Sequence, residues 1–451
     1  MTPLDPRALQ YAAKQVDAGD TEGAYLLCRE MFRQNPEDPH LANIIAHCHL
    51  KADRPESAYY MYRYIQKFKN YDGPQLWHNI GHCLAEREHW KEAEGFFLKA
   101  LQKAPDHVTY ASLSSIYCKN GNPQKAVDYA EKSLSLKPDG TEAKWNGALA
   151  LLKLHQWKKG WQWYDALIGH KQRPEPPKID GVVLPMWLGE GGVVLVNGEQ
   201  GLGDEIMFSS IIGEAAKRAE RIILAVDPRL VNLLQRSFPQ IIVVSRVGKQ
   251  LVLPEPLDIT HRFPLGSLGR LFRNDDKDFP GTPYLKADPY RVLMYRALLD
   301  SVGEGKKIGL MWRGGVGGLD EFERSLALND LEPLLTDKVH WVSLNHLPEA
   351  AGECERFYDV SGIKIHHFPF AHSRDYDDTA ALVAGLDCVV SVTGTVAHCA
   401  AALGKETHVL VPRMPQWRYG HEGDSMPWYK SMKLHRQTET WPLDGVKGAV
   451  S

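Results

Sequence analysis

At 451 residues the chain is long enough for two or three domains with substantial cores. Its 53 Lys and Arg nearly balance 56 Asp and Glu, a formal net charge of −3, which excludes a global basic field for nucleic acid while leaving a local groove open. No run of about 18 apolar residues occurs and the opening MTPLDPRALQ has no charged-then-apolar leader, so no membrane span is expected and the cytoplasm is the expected compartment.

A 34-residue period organises the first third of the chain. From Pro74, one unit places Trp77, Ile80, Gly81, Leu84, Ala93, Phe97, Ala100 and Pro105 at the spacing of a tetratricopeptide repeat. Stepping by the period finds Ala58, Tyr62 and Ile65, then Ala24, Cys28 and Met31, and forward Leu113, Ser114, Tyr117, Ala126 and Ala130. A weaker fifth unit begins near Thr141 with Gly147, Gly160 and Tyr164, so five helical hairpins are expected over 5–170. Such arrays present a groove for a peptide or protein, and the structural alternative is a spacer. Tyr59, Tyr60, Tyr62 and Tyr64 fall on different helix faces, so only some can line a groove. The seven cysteines form no C-x-x-C pair, and His47-Cys48-His49 and His82-Cys83 fall at helix positions, so packed thiols are expected rather than metal ligation.

Residues 171–189 begin with KQRPEPPKIDGVVLP, a proline- and charge-rich linker. Beyond it strands and helices alternate, which implies parallel sheets with helices on their faces, in two units over 190–290 and 305–445. In the first, Val193–Val196 (strand), Asp204–Arg218 (helix), Ile222–Val226 (strand), Pro228–Ser237 (helix) and Ile241–Val244 (strand) precede a loop-rich stretch to Pro289. The second runs through strands at Lys307–Trp312, Trp341–Leu344, Cys388–Val392 and Thr407–Val411, with helices at Thr379–Gly385 and Thr395–Leu403. Two such units would leave a cleft at the carboxyl ends of both sheets.

The glycine turn after the first strand, NGEQGLGD, is the first candidate site. Gly198, Gly201 and Gly203 allow a sharp turn and close approach to a ligand, and Gln200 lies within it. The glycines read G-x-x-G-x-G, and Asp204 sits where a helix N-terminus would receive pyrophosphate; a carboxylate there repels an anion, which argues against a dinucleotide loop. Asp204 is then either a helix cap or a general base facing an acceptor hydroxyl. At the other end of the cleft, Gly394-Thr395 falls at a strand-to-helix junction whose free N–H groups suit a diphosphate. Arg313 closes a strand beside two glycines and could offset the departing charge, whereas Arg324 in the run DEFERS reads by composition alone as a solvated loop. His398, one turn into the helix, is either packed or in reach of a sugar or phosphate. Asp375-Tyr376-Asp377-Asp378 precedes a helix and reads as its start, and Asp275-Asp276-Lys277-Asp278 reads as an exposed loop, so neither is assigned a metal.

The ordered series VNGEQGLGDEIMF, KIGLMWRGG, ERSLALNDLEPLL, WVSLN, DYDDTAALVAGLDCVVSVTGTVAHCAAALGK and PQWRYG with PWY resembles the tetratricopeptide-linked glycosyltransferases of bacteria and their phages. These are similar to the lipopolysaccharide heptosyltransferases and, more distantly, to protein O-GlcNAc transferases. The resemblance implies a GT-B fold of two Rossmann-like domains behind a tetratricopeptide superhelix, with acceptor first, nucleotide-sugar donor second, and inversion at the anomeric carbon without a metal or other cofactor. It makes Asp204 the base, and Arg313, Arg324, Thr393, Gly394, Thr395, His398, Trp417 and Arg418 the donor set. Thr393 stands where the heptosyltransferases carry Asp, so heptose-specific contacts are not expected. The repeats would recruit a protein acceptor such as flagellin or another surface subunit. Two alternatives are a non-catalytic scaffold with a degenerate transferase domain, and a transferase acting on polysaccharide or modified DNA; removing residues 1–170 would spare acceptor use only in the latter.

Overall fold

The computed structural model describes residues 6–68, 71–170, 173, 175–179, 181–199, 201–247, 250–251, 257–314, 324–372 and 375–450. They divide into two compact units, 1–150 and 151–451.

The first unit is a ladder of helices: α1 (Pro6–Ala18), α2 (Thr21–Gln34), α3 (Pro39–Lys51), α4 (Pro55–Ile65), α5 (Pro74–Glu86), α6 (Trp90–Lys103), α7 (His107–Lys119), α8 (Pro123–Leu136) and the larger part of α9 (Thr141–Lys153). Their starts follow local chemistry. Asp20, Asp38, Asp106 and Asn122 accept backbone N–H groups of the first turn, and Pro39, Pro55, Pro74 and Pro123 occupy a position where the missing donor costs nothing. The period recurs in the backbone itself: Gly19, Asp53, Glu88 and Gly121, spaced by about one repeat, each take a positive φ, of 93°, 56°, 61° and 72°, in the turn inside a hairpin. Glycine or a polar residue suits that left-handed conformation and a β-branched one does not. Gly121→Val should therefore destabilise the repeat unit by about 1–2 kcal/mol and Gly121→Asn by only a few tenths, read as shifts in a denaturant melt.

The small-residue positions of the period are core: Ala24, Ala58, Ala93 and Ala126 are fully buried, as are Tyr62 and Cys83. Of the four tyrosines near residue 60, Tyr62 is thus structural while Tyr60 is exposed. Burial holds the Cys83 thiol up at about 12, an inert packed group.

The second unit opens with the end of α9 and with α10 (Trp157–Asp165), then builds two sheets. The first sheet has the order β4-β3-β2-β1-β5, where β1 is Val193–Asn197, β2 Arg221–Val226, β3 Ile242–Val247, β4 Gln250–Leu251 and β5 His261–Pro264; only the β3–β4 pair is antiparallel. The second comprises β6 (Lys307–Met311), β7 (His340–Ser343), β8 (Ile365–His366), β9 (Cys388–Val392), β10 (Glu406–Val411), β11 (Ser425–Met426) and β12 (Tyr429–Arg436), ordered β11-β12-β10-β9-β6-β7-β8. Leaving aside β11, which pairs antiparallel, its strands counted along the chain run 3-2-1-4-5-6, a doubly wound order that reverses between β6 and β9. The first sheet reverses likewise between β1 and β5.

The helices between strands are shorter and more broken than the periodicity predicts. The expected helix Asp204–Arg218 is two pieces, α11 (Leu202–Ser209) and α12 (Ile212–Ala215), and Pro228–Ser237 is a 3₁₀ turn leading into α13 (Val231–Ser237). The expected loop to Pro289 contains β5 and α14 (Leu268–Phe272), and α15 (Pro289–Asp300) follows. In the second half lie α16 (Ala350–Ser361), α17 (Tyr376–Gly385), α18 (Thr395–Ala402) and α19 (Leu443–Val450).

The two halves of this unit are fastened to each other. Arg236 of α13 grips Asp377 of α17 through two hydrogen bonds of 2.7 Å, and the hydroxyls of Tyr284 and Tyr429 meet at 3.3 Å. Asp375 caps α17, and Asp375 and Asp378 both face Arg291, so the DYDD run serves a helix start and ion pairs.

Candidate functional site

The carboxyl ends of strands from both sheets converge on one cavity of about 410 Å³. From the first sheet come Glu199, Gly201, Leu202 and Glu205 after β1, Asp227 and Arg229 after β2, and Arg246 at the end of β3. From the second come Met311 and Arg313 at β6, Leu344 and His346 after β7, Tyr376 and Thr379 of α17, and Gly394, Thr395 and Val396 after β9. This is where open parallel sheets bind ligands, outside the strand ends at the reversal of strand order.

The β1 turn is stiffened from below. Glu205, 1% exposed, accepts the Asp227 amide at 2.9 Å and an Arg246 N–H at 2.9 Å. Its Oε1 occupies the space in which a side chain on Gly198 would begin, so only glycine fits there. Burial raises the Glu205 carboxyl to about 7 against the opposing pull of the Asp227 amide and Arg246. Glu199 reaches the other way: its Oε1 accepts the Gly266 amide at 2.7 Å, and burial, helped by nearby Asp204, raises its pKa despite Arg173. Sequence reading passed over Glu199, Arg229, Arg246 and His346, because nothing in residue type or spacing marks side chains that meet only through the fold.

The opposite wall is the start of α18. Gly394 is its N-cap, with no side-chain capping bond, so the first amides of the helix open onto the cavity. The Gly394 backbone is extended, with φ 170°, and a side-chain carbon there would meet nothing within 4 Å. The fold therefore does not require glycine, whereas a ligand held against these amides would. Gly394→Ala is expected to change stability by less than about 1 kcal/mol, measured by thermal melting. Thr393 behind it is 1% exposed with a buried hydroxyl that has no hydrogen-bond partner.

The charges on the cavity walls are matched. Arg229 clasps Asp227 through bonds of 2.9 and 3.0 Å, Arg246 meets Glu205, and Arg313 meets Glu353 while its buried Nε stays unpartnered. Among the described residues no group of three or more His, Cys, Asp or Glu is placed to hold a metal ion.

The remaining predicted positions divide. Gly203 lies against α18: a side chain on it would begin 3.5 Å from Thr395 Cα and 3.3 Å from the His398 ring, so the β1 turn and the α18 start touch directly. Asp204 does not cap α11, whose N-cap is Gly201; it forms an ion pair with Arg418, which also bonds Gln416. His398 does not line the cavity. It is 3% exposed, Tyr429 and Tyr419 hydroxyls occupy its two ring nitrogens at 3.2 and 3.3 Å, and burial aided by Arg418 lowers its pKa to about 3, so it is a neutral packing residue. Trp417 likewise belongs to the core, its ring edge-on to Trp161 at 5.7 Å and tilted over Phe208 at 6.3 Å, rather than to the cavity wall. Arg324 is near enough to act on the Tyr419 hydroxyl, which burial holds at about 12. Gln200 lies outside the described residues.

The tetratricopeptide repeat family profile matches residues 109–144. The amino-terminal unit carries tetratricopeptide repeats. Repeats of this kind commonly bind protein partners. Protein FlbA of Caulobacter vibrioides is similar along most of the chain, 26% identical in a match that covers 79% of this chain and 68% of that protein. Among solved structures, Pseudomonas aeruginosa pilF is 22% identical over 36% of this chain and 73% of its own, with a TM-score of 0.33. A thermophilic repeat protein of Thermus thermophilus is 16% identical over 36% of this chain and 89% of its own, with a TM-score of 0.32. Among the described residues no helix is long and apolar enough to cross a membrane.

Proposed function

We propose that the chain is an inverting glycosyltransferase of GT-B arrangement that moves a sugar from a nucleotide-sugar onto an acceptor hydroxyl, on a protein recruited by the repeats. The observation that carries this reading is the meeting of two parallel sheets at their strand-order reversals around one cavity, with the uncapped start of α18 opening into it. The nucleotide diphosphate rests on the amides of Thr395 and Val396, with Arg313 offsetting its charge. Asp204, which lies between the cavity-lining residues Leu202 and Glu205 without lining the cavity itself, takes the proton of the acceptor hydroxyl. The freed oxygen bonds to the anomeric carbon from the face opposite the leaving group, and the bond from that carbon to the phosphate oxygen breaks with its electron pair going to the nucleoside diphosphate. No step in this scheme needs a metal.

A panel of UDP-, GDP-, ADP- and CMP-sugars, with nucleotide release as the readout and Asp204→Asn as the control, tests the reading. Release from one donor that the substitution abolishes supports it; absence of release and of binding from all four defeats it. The scaffold reading has one specific observation in its favour, the pairing of Arg229, Arg246 and Arg313 with carboxylates. It requires that no nucleotide bind at all, and that partner capture survive substitution of the cavity arginines.

A further inference from the structure

Arg418 is an unusual neighbour for a proton acceptor. Its guanidinium is joined to Asp204, and a carboxylate held by a fixed cation is a poor base because proton uptake must break the pair. The side chain is 13% exposed, and its Nε is buried with no hydrogen-bond partner, so part of its donor edge is unused. It does not line the cavity itself but is linked to the expected anion cradle through its neighbours. Asp204 lies in the first turn of α11, whose Gly203 lies against Thr395, and the neighbouring Tyr419 hydroxyl bonds His398 one turn into α18. A diphosphate on the first amides of α18 would compete with Asp204 for this guanidinium, which matches planar anions of both kinds.

We propose that Arg418 is a shared cation: it holds Asp204 until a nucleotide-sugar is seated and then turns to the phosphates, so that donor binding releases the base. The inference rests on the transferase reading and adds an order of events to it. The carboxylate is masked until the leaving group is in place, which protects the site against proton transfer without a donor. As the bond to the sugar breaks, the charge that develops on the phosphate oxygens meets the guanidinium that Asp204 has given up.

A double-mutant cycle on the full-length protein tests it by calorimetric titration with UDP, GDP and ADP. Asp204→Asn should tighten binding of the preferred nucleotide about 5- to 10-fold, because a neutral hydrogen bond holds the arginine less firmly than the ion pair does, and Arg418→Gln should weaken it by at least as much. In the double variant the tightening should vanish. If Asp204→Asn tightens binding equally with Gln at 418, Asp204 merely repels the anion and the shared-cation proposal is overturned while the donor site stands. Unchanged or weaker binding in Asp204→Asn also overturns it. If no nucleotide binds the native protein, the donor site falls and this inference with it. Should Asp204→Asn fail to fold by circular dichroism, Asp204→Ser enters the same cycle.

Discussion

Trp161→Ala should lower the stability of the carboxy-terminal unit by about 3–5 kcal/mol, the scale for truncating a buried tryptophan. Its ring is fully buried, its N–H donates to the Arg273 carbonyl at 2.7 Å, and Trp157, Tyr164, Phe208 and Trp417 surround it. Gly269 of α14 has no room for a side chain because the indole lies 2.7 Å from where one would begin. The last helix of the repeat pattern is therefore built into the α/β unit. Trp157 repeats the point by donating to Asp276 at 2.8 Å. A deletion of residues 1–170, the division suggested by the repeat period, removes this helix and should leave an unfolded chain, whereas a chain beginning at Pro138 keeps α9 and α10 and should fold. Equilibrium unfolding of the substituted chain and circular dichroism of the two truncations check this; a loss below about 1 kcal/mol for Trp161→Ala would contradict it.

Asp204→Asn should reduce sugar transfer by about 10²- to 10⁴-fold, the usual contribution of a positioned general base, without loss of nucleotide binding. The substitution keeps the size of the side chain and a carbonyl oxygen for Arg418, so the fold should hold. Glu199 is the internal comparison. It is a carboxylate on the cavity wall, already engaged with the Gly266 amide and raised in pKa by burial. Glu199→Gln should cost less than Asp204→Asn when kcat is compared at saturating donor. The reverse order would move the base from Asp204 to Glu199.

What could be read from the chain follows the range of the interactions involved. The repeats were legible because each hairpin is specified within 34 residues, by caps, small residues and buried aromatics in fixed register. The long apolar runs at Val193 and Cys388 announced buried parallel strands. β4, β5, β8, β11 and β12 were not found: the first four are short, and β12 mixes buried and exposed positions amid lysines, so composition gives no apolar run. In the site, the strand-to-helix junction at Gly394 was visible as a local motif. The Asp204–Arg418 pair spans 214 residues, and the Arg236–Asp377 clasp 141. No spacing rule reaches such pairs. His398 and Trp417, singled out by motif, proved to be held by neighbours far along the chain, Tyr429 and Trp161.

The most direct measurement is a crystal structure of the full chain soaked with the nucleoside diphosphate that binds best in calorimetry. Diphosphate oxygens are expected within hydrogen-bonding distance of the Thr395 and Val396 amides, with the Arg313 guanidinium turned toward them. A nucleotide bound elsewhere on the molecule, or density for the diphosphate pointing away from α18 toward solvent, would contradict the donor site.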